Sequence, residues 1–186
     1  MYQNLPNILT LSRIIVIPII VLLFLFEGDI YRWIVLIIFS IAGITDFFDG
    51  YIARSQKKIS KVGIFLDPVA DKLLVATVIF MLVAYDRITG PAILPALVIL
   101  FREILVSGLR EFLGQVRQKL PVTRIAKWKT GLQMIALGFL IIGDAGPKFI
   151  PTTTIGEIGI WLAAFFTIFT GYNYLKLGIK YILKEK

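Results

Sequence analysis

Residues 45–71 read "TDFFDGYIARSQKKISKVGIFLDPVAD", two apolar helix ends joined by a basic connection. Four aspartates, Asp46, Asp49, Asp67 and Asp71, stand here in a chain otherwise rich in Leu, Ile, Val and Phe. Carboxylates beside apolar helices cost several kcal/mol unless something compensates them. The same stretch sets the architecture, because it marks where one hydrophobic segment ends and the next begins.

Outward from it, the chain has 186 residues, of which 58% are hydrophobic. The mean hydropathy is +0.84, which points to a membrane protein. The net charge of +8 fits basic loops facing an anionic leaflet better than a nucleic-acid surface. There is no cysteine, which excludes disulfides and thiolate metal sites. There is no histidine either, so a general base must be a carboxylate, Lys or Tyr, and a divalent metal must be held by oxygen. The opening "MYQNLPN" lacks the basic n-region of a cleaved signal, and the first apolar run is read as a retained membrane helix.

Six hydrophobic segments are predicted, at 7–26, 32–54, 65–85, 92–113, 126–143 and 156–178. No stretch between them is long enough for a separate soluble domain, so residues 1–186 are read as one membrane domain. One set of connections carries Lys57, Lys58, Lys61, Arg117, Lys119, Arg124, Lys176, Lys180, Lys184 and Lys186. The other carries only Arg32, Arg87 and Lys148, against Glu27, Asp29, Asp86 and Asp144. By the positive-inside rule both termini are cytoplasmic.

The uncharged cores 33–45, 73–85, 88–101 and 130–143 all fall short of the about 20 residues needed to span hydrocarbon. Each shortfall lies on the cytoplasmic side, where Asp46/Asp49, Asp67/Asp71, Arg102/Arg110 and Lys127/Lys129 appear. The expected fold is therefore all-α: a polytopic membrane protein of six transmembrane helices with a polar cavity open to the cytoplasm.

Asp46 and Asp49 are three apart and share a helix face, which Gly50 and Ala53 continue with almost no side chain. That leaves room for a ligand against the backbone, with Arg54 close by as a cation. Gly63, Asp67 and Asp71 repeat at four-residue spacing on the next helix. The short basic connection makes the two helices antiparallel neighbours, so four carboxylates are expected to converge, and unpaired they repel and raise one another's pKa values. A divalent metal with oxygen ligands resolves this, Mg2+ first with Mn2+ as substitute, and a two-ion clamp would serve phosphoryl transfer. The plainer alternative is local pairing: Asp67 as an N-cap before Pro68, and Asp46 or Asp49 with Arg54.

The pattern Asp46-x2-Asp49-Gly50-x2-Ala53-Arg54-x8-Gly63-x3-Asp67-x3-Asp71 resembles the signature of the CDP-alcohol phosphatidyltransferases at all eight defining positions. The resemblance covers essentially the whole chain. It implies an enzyme that moves the phosphatidyl group of a CDP-linked lipid to an alcohol and releases CMP. It further implies that Asp46, Asp49, Asp67 and Asp71 hold two Mg2+ ions, Asp71 also serving as base. Gly50, Ala53 and Arg54 would meet the nucleotide. A homodimer in the inner membrane is likewise what the resemblance implies.

The second half bears on the acceptor. "FREILVSGLREFL" (101–113) places Arg102 and Arg110 eight apart, and "RIAKWKTGLQM" (124–134) adds Lys127 and Lys129. Arg102, Arg110 and Lys127 are read as a pocket for an acceptor that carries phosphate. The plainer alternative is a positive-inside role, with Arg110 pairing with Glu103 or Glu111, and it is preferred for Lys129 and Arg117. These segments, with "LDPVADK" and "LPNILTLSRI", resemble in particular the bacterial phosphatidylglycerophosphate synthases, which implies sn-glycerol 3-phosphate as acceptor. Asn7, Thr10 and Arg13 either line the nucleotide site or form a polar interfacial helix start. The nearest rival is a cardiolipin synthase using phosphatidylglycerol. A divalent-cation transporter is a rival of another class, but the outer halves "IVLIIFSIAG" and "LLVATVIFMLVA" offer almost no ion ligands.

Overall fold

Apolar runs of this length can close their backbone hydrogen bonds within a membrane only as helices. The computed structural model bears this out. It describes the backbone of residues 5–56, 61–115 and 124–184, and the side chains of residues 11–45, 66, 69–114 and 125–182. Helices α1 (Leu5–Phe24), α2 (Asp29–Gln56), α3 (Lys61–Ala84), α4 (Ile93–Gln115), α5 (Arg124–Ile142) and α6 (Thr152–Lys184) follow in order. Short 3-10 turns, Gly90–Ala92 and Gly143–Ala145, precede α4 and follow α5. No strand occurs among the described residues.

The breaks have local causes. Gly28 (φ +122°) supplies the left-handed step between α1 and α2, and Gly143 (φ +48°) the one that ends α5. The Gly143 carbonyl accepts from the Thr152 hydroxyl at the start of α6. Arg87, just beyond α3, donates to the Ile141 carbonyl at 2.8 Å and lies over the Phe24 ring, 4.9 Å from its centroid. It thereby ties α1 and α5 to the end of α3. Burial first, and then the Arg32 guanidinium, push Arg87 down to about 10, so it remains a cation at neutral pH.

Every helix end lies one to six residues from the sequence reading, and at α3 and α6 the difference matters. Helix α3 begins at Lys61, so Asp67 and Pro68 lie inside it and Asp67 is not its N-cap. Helix α6 runs from Thr152 to Lys184 rather than 156–178, since Ile179 and Ile182 continue its apolar spacing between lysines.

The core runs through all six helices, with Ile20, Phe39, Val78, Leu82, Ile99, Leu137, Ile141 and Ile160 among its fully buried members. The most extensive helix pairing is α5 on α6. Helix α1 packs against both α2 and α3, and among the described residues α2 and α3 meet each other far less. The outer surface is apolar: Phe80, Phe101, Ile104 and Phe165 are each at least 66% exposed. So large an exposed apolar surface suits lipid, not water. The segments Gly90–Gly114, Ile125–Ala145 and Thr152–Ile182 are long and apolar enough to cross a membrane, with Leu11–Phe24 a shorter apolar helix. This is an all-α membrane protein.

Small residues set the α5–α6 spacing, as expected where lipid supplies no hydrophobic drive between helices. A Cβ on Gly159 would stand 2.8 Å from Ala136 Cβ, and one on Gly156 2.7 Å from Leu140 Cγ. Gly159→Ala is expected to destabilise the fold by about 1–3 kcal/mol, because Ala136 has no rotamer to yield. Gly43→Ala should cost less than about 1 kcal/mol although its Cβ would lie 2.5 Å from Met134 Cε, since that methyl can swing away. Thermal midpoints in detergent compare the two.

Candidate active site

Helix α2 carries Asp46, Asp49, Gly50, Ala53 and Arg54 in its second half, and α3 carries Gly63, Asp67 and Asp71 in its first half. Both backbones are helical throughout, so the three- and four-residue spacings correspond to shared faces. Among these positions only Asp71 has a described side chain; the others lie outside the described side chains, as do Asn7 and Thr10, while Arg117 lies outside the described backbone as well. Arg13 of α1 is buried, 1% exposed.

Asp71 is half-buried, and its Oδ2 accepts from Lys72 Nζ at 2.9 Å. The Lys72 ammonium also pairs with Glu103 Oε2 on α4. The other Glu103 oxygen, Oε1, pairs with Lys129 of α5 and with Arg102 Nη1 at 3.3 Å. Arg102 Nη2 then donates to the Thr170 hydroxyl on α6 at 3.2 Å. One connected set of ionic groups thus bridges α3, α4, α5 and α6. Arg102 and Arg110 both lie over the Tyr174 ring, 5.4 and 5.1 Å from its centroid.

The packing places these groups at one depth. A Cβ on Gly171 would meet Arg102, and one on Gly178 would meet Leu109, so α4 and α6 run parallel in a fixed register. The Gly156–Leu140 and Gly159–Ala136 contacts make α5 antiparallel to α6, which sets Lys129 opposite Thr167. Glu103 sits near the middle of α4, where a lone charge would be expelled; it is 7% exposed and Lys129 only 2%. They persist because they are paired. Among the described residues, three cations (Lys72, Arg102, Lys129) face two carboxylates (Asp71, Glu103) in this cluster. Arg102 Nε, Gln133 Oε1 and Thr167 Oγ1 are buried there with no hydrogen-bond partner among the described residues. Such orphans are rare in finished interiors and mark a place able to bind something polar.

Arg102 and Arg110 therefore meet around Tyr174, whereas Lys127 is exposed and two positions from Lys129, a spacing that turns it off the shared face. Lys129, read from sequence as a positive-inside charge at the start of α5, is instead the most buried cation of the cluster. Lys72 was missed, and Glu103, weighed from sequence only as a partner for Arg110, instead pairs with Arg102, Lys72 and Lys129. Their partners stand 31 and 26 positions away, beyond any local pattern, yet each was visible as a charge inside an apolar run.

A family profile described as CDP-alcohol phosphatidyltransferase matches residues 3–169. A protein of Rickettsia felis is 50% identical over 179 residues, covering 96% of this chain and 97% of its own. One of Rickettsia typhi is 51% identical over 174 residues, covering 94% and 96%. One of Haemophilus influenzae is 37% identical over 177 residues, covering 94% and 93%. All three bear the name CDP-diacylglycerol--glycerol-3-phosphate 3-phosphatidyltransferase. With the signature helices, the buried ionic cluster and the near full-length match in agreement, the chain belongs to the CDP-alcohol phosphatidyltransferase family and is a phosphatidyl-transferring enzyme.

Proposed function

We propose that the chain transfers the phosphatidyl group of CDP-diacylglycerol to sn-glycerol 3-phosphate, giving phosphatidylglycerophosphate and CMP. The observation that carries this reading is the pair of buried cations Arg102 and Lys129, linked through Glu103 and Lys72 to Asp71. An acceptor that bears its own phosphate monoester has a use for such a pocket beside the base; an uncharged alcohol does not. The names of the relatives point the same way.

In this reading Asp71 takes the proton of the acceptor hydroxyl through Oδ1, while Lys72 holds Oδ2. The hydroxyl oxygen forms a bond to the lipid-side phosphorus as the bond from that phosphorus to the CMP oxygen breaks, so no covalent enzyme intermediate is needed. Arg102 and Lys129 hold the acceptor phosphate, with Arg110 at the mouth and Lys127 at most an approach charge. Gly50 and Ala53 leave space for the nucleotide, with Arg54 near its diphosphate.

The donor set suits a hard divalent cation: it is all carboxylate in a chain without Cys or His, and Asp71 keeps one oxygen clear of Lys72. Among the described residues no three acidic side chains gather into a metal-holding group, the other three aspartates having no described side chains. Asp46, Asp49, Asp67 and Asp71 would hold Mg2+, two ions in the full site, which would neutralise charge building on the diphosphate. The same reading takes residues 1–186 as one domain of six spans in the inner membrane, its polar site and both termini facing the cytoplasm.

Purified protein in detergent with CDP-diacylglycerol and a panel of alcohols tests it. CMP should appear with glycerol 3-phosphate, stop on adding EDTA and return with Mg2+. Release with phosphatidylglycerol alone would move the chain to the cardiolipin-forming reaction, and no release with any acceptor would end the transferase mechanism.

A further inference from the structure

A carboxylate repels a phosphate, so Glu103 is no ligand for the acceptor's phosphate, and both its oxygens are already held by cations. It nevertheless sits at the centre of the cluster, with both oxygens committed in different directions. Oε2 points its charge at Lys72, which is shared with Asp71. Oε1 is shared by Lys129 and Arg102. A purely structural ion pair would need one partner; here one side chain from α4 gathers cations from α3, α5 and α4 itself. Without it, Lys72, Lys129 and Arg102 would repel one another, with Asp71 the one carboxylate among the described residues left to draw them in.

We infer that Glu103 is the positioning residue of the transfer reaction, setting the separation between the base and the phosphate-binding cations. One oxygen orients Asp71 through Lys72, and the other fixes Lys129 and Arg102. The two arms correspond to the two ends of a phosphorylated acceptor: the hydroxyl that loses its proton, and the phosphate that keeps its charge. This rests on the reading of the acceptor as glycerol 3-phosphate. It goes beyond that reading in giving a residue that touches neither substrate control over both turnover and acceptor affinity.

The test is steady-state kinetics of full-length Glu103→Gln, Glu103→Asp, Lys72→Met and Lys129→Met in detergent, varying each substrate separately. Glu103→Gln should lower kcat about tenfold and raise KM for glycerol 3-phosphate about tenfold, the size expected when hydrogen bonds to charged groups are lost and reacting atoms drift. KM for CDP-diacylglycerol should stay within about twofold. Lys72→Met should reproduce mainly the kcat loss and Lys129→Met mainly the KM rise. Lys72→Met added to Glu103→Gln should lower kcat little further, because both act along one path. Glu103→Asp, which keeps the charge on a shorter arm, should show both effects at about threefold, and it carries the test if Glu103→Gln does not fold. The inference is overturned if kcat and glycerol 3-phosphate KM both stay at wild-type values, or if both substrates' KM values rise equally. A wild-type chain that releases no CMP with glycerol 3-phosphate sinks the acceptor reading and this inference together. An active wild type matched by its Glu103 variants sinks the inference alone.

Discussion

Asp71→Asn is expected to reduce CMP release by about a thousandfold, within the range for loss of a positioned general base. Asparagine keeps the size of aspartate and one carbonyl oxygen, but its amide cannot accept the acceptor's proton. The chain has no histidine to substitute for it. The neighbouring basic group, Lys72, is committed as a cation to Asp71 and Glu103. Nucleotide binding should survive far better, because Gly50, Ala53 and Arg54 stand on α2, a different helix. Single-turnover CMP release set against equilibrium binding of CDP-diacylglycerol separates the two roles. Equal loss of both would reduce Asp71 to a ligand and leave the reaction without its base. The Lys72–Glu103 pair remains in the variant, so thermal stability should change little, and a large drop in midpoint would mean that Asp71 is structural.

The parts of this protein legible in its sequence are those written in local spacing. Apolar runs broken by charge gave six helices because a backbone in lipid has no other way to satisfy itself. The placement of Asp46, Asp49, Asp67 and Asp71 on α2 and α3 follows from three- and four-residue intervals alone. Helix ends were less legible: Asp67–Pro68 suited a helix start, but α3 already begins at Lys61 and carries Pro68 in its third turn, where proline lacks the N–H for one helix bond. The acceptor side was half legible. Arg102 stood out as a cation deep in α4, and the structure does place it inside the cluster. Lys129 did not, since a lysine near a cytoplasmic helix end looks the same whether it snorkels or turns inward. Only Glu103, contributed by another helix, decides that it turns inward, and a partner 26 positions away leaves no mark on local periodicity. Lys72 was hidden for the same reason behind the aspartate beside it.

Arg102→Ala should then raise KM for glycerol 3-phosphate roughly a hundredfold, with a much smaller fall in kcat. Truncating one partner of a desolvated, hydrogen-bonded charge pair costs about 2–5 kcal/mol, and a hundredfold is about 2.7 kcal/mol. The guanidinium is fixed before any substrate arrives: Nη1 lies 3.3 Å from Glu103 Oε1, Nη2 lies 3.2 Å from the Thr170 hydroxyl, and the Tyr174 ring lies beneath. Glu103 and Thr170 take only two of its five N–H donors, and its buried Nε has no partner among the described residues. Arg102→Lys should recover only part of the loss, because an ammonium supplies the charge without the planar fork. Gly171 rests against the Arg102 stem, so the alanine variant also loses packing; its thermal midpoint must be measured beside its kinetics. The comparison that decides is between acceptors. If the pocket serves the acceptor's phosphate, the penalty falls on glycerol 3-phosphate and spares CDP-diacylglycerol, whose KM should hold within about twofold. Equal penalties on both would place Arg102 at the diphosphate instead, and an unchanged glycerol 3-phosphate KM would favour phosphatidylglycerol as the acceptor.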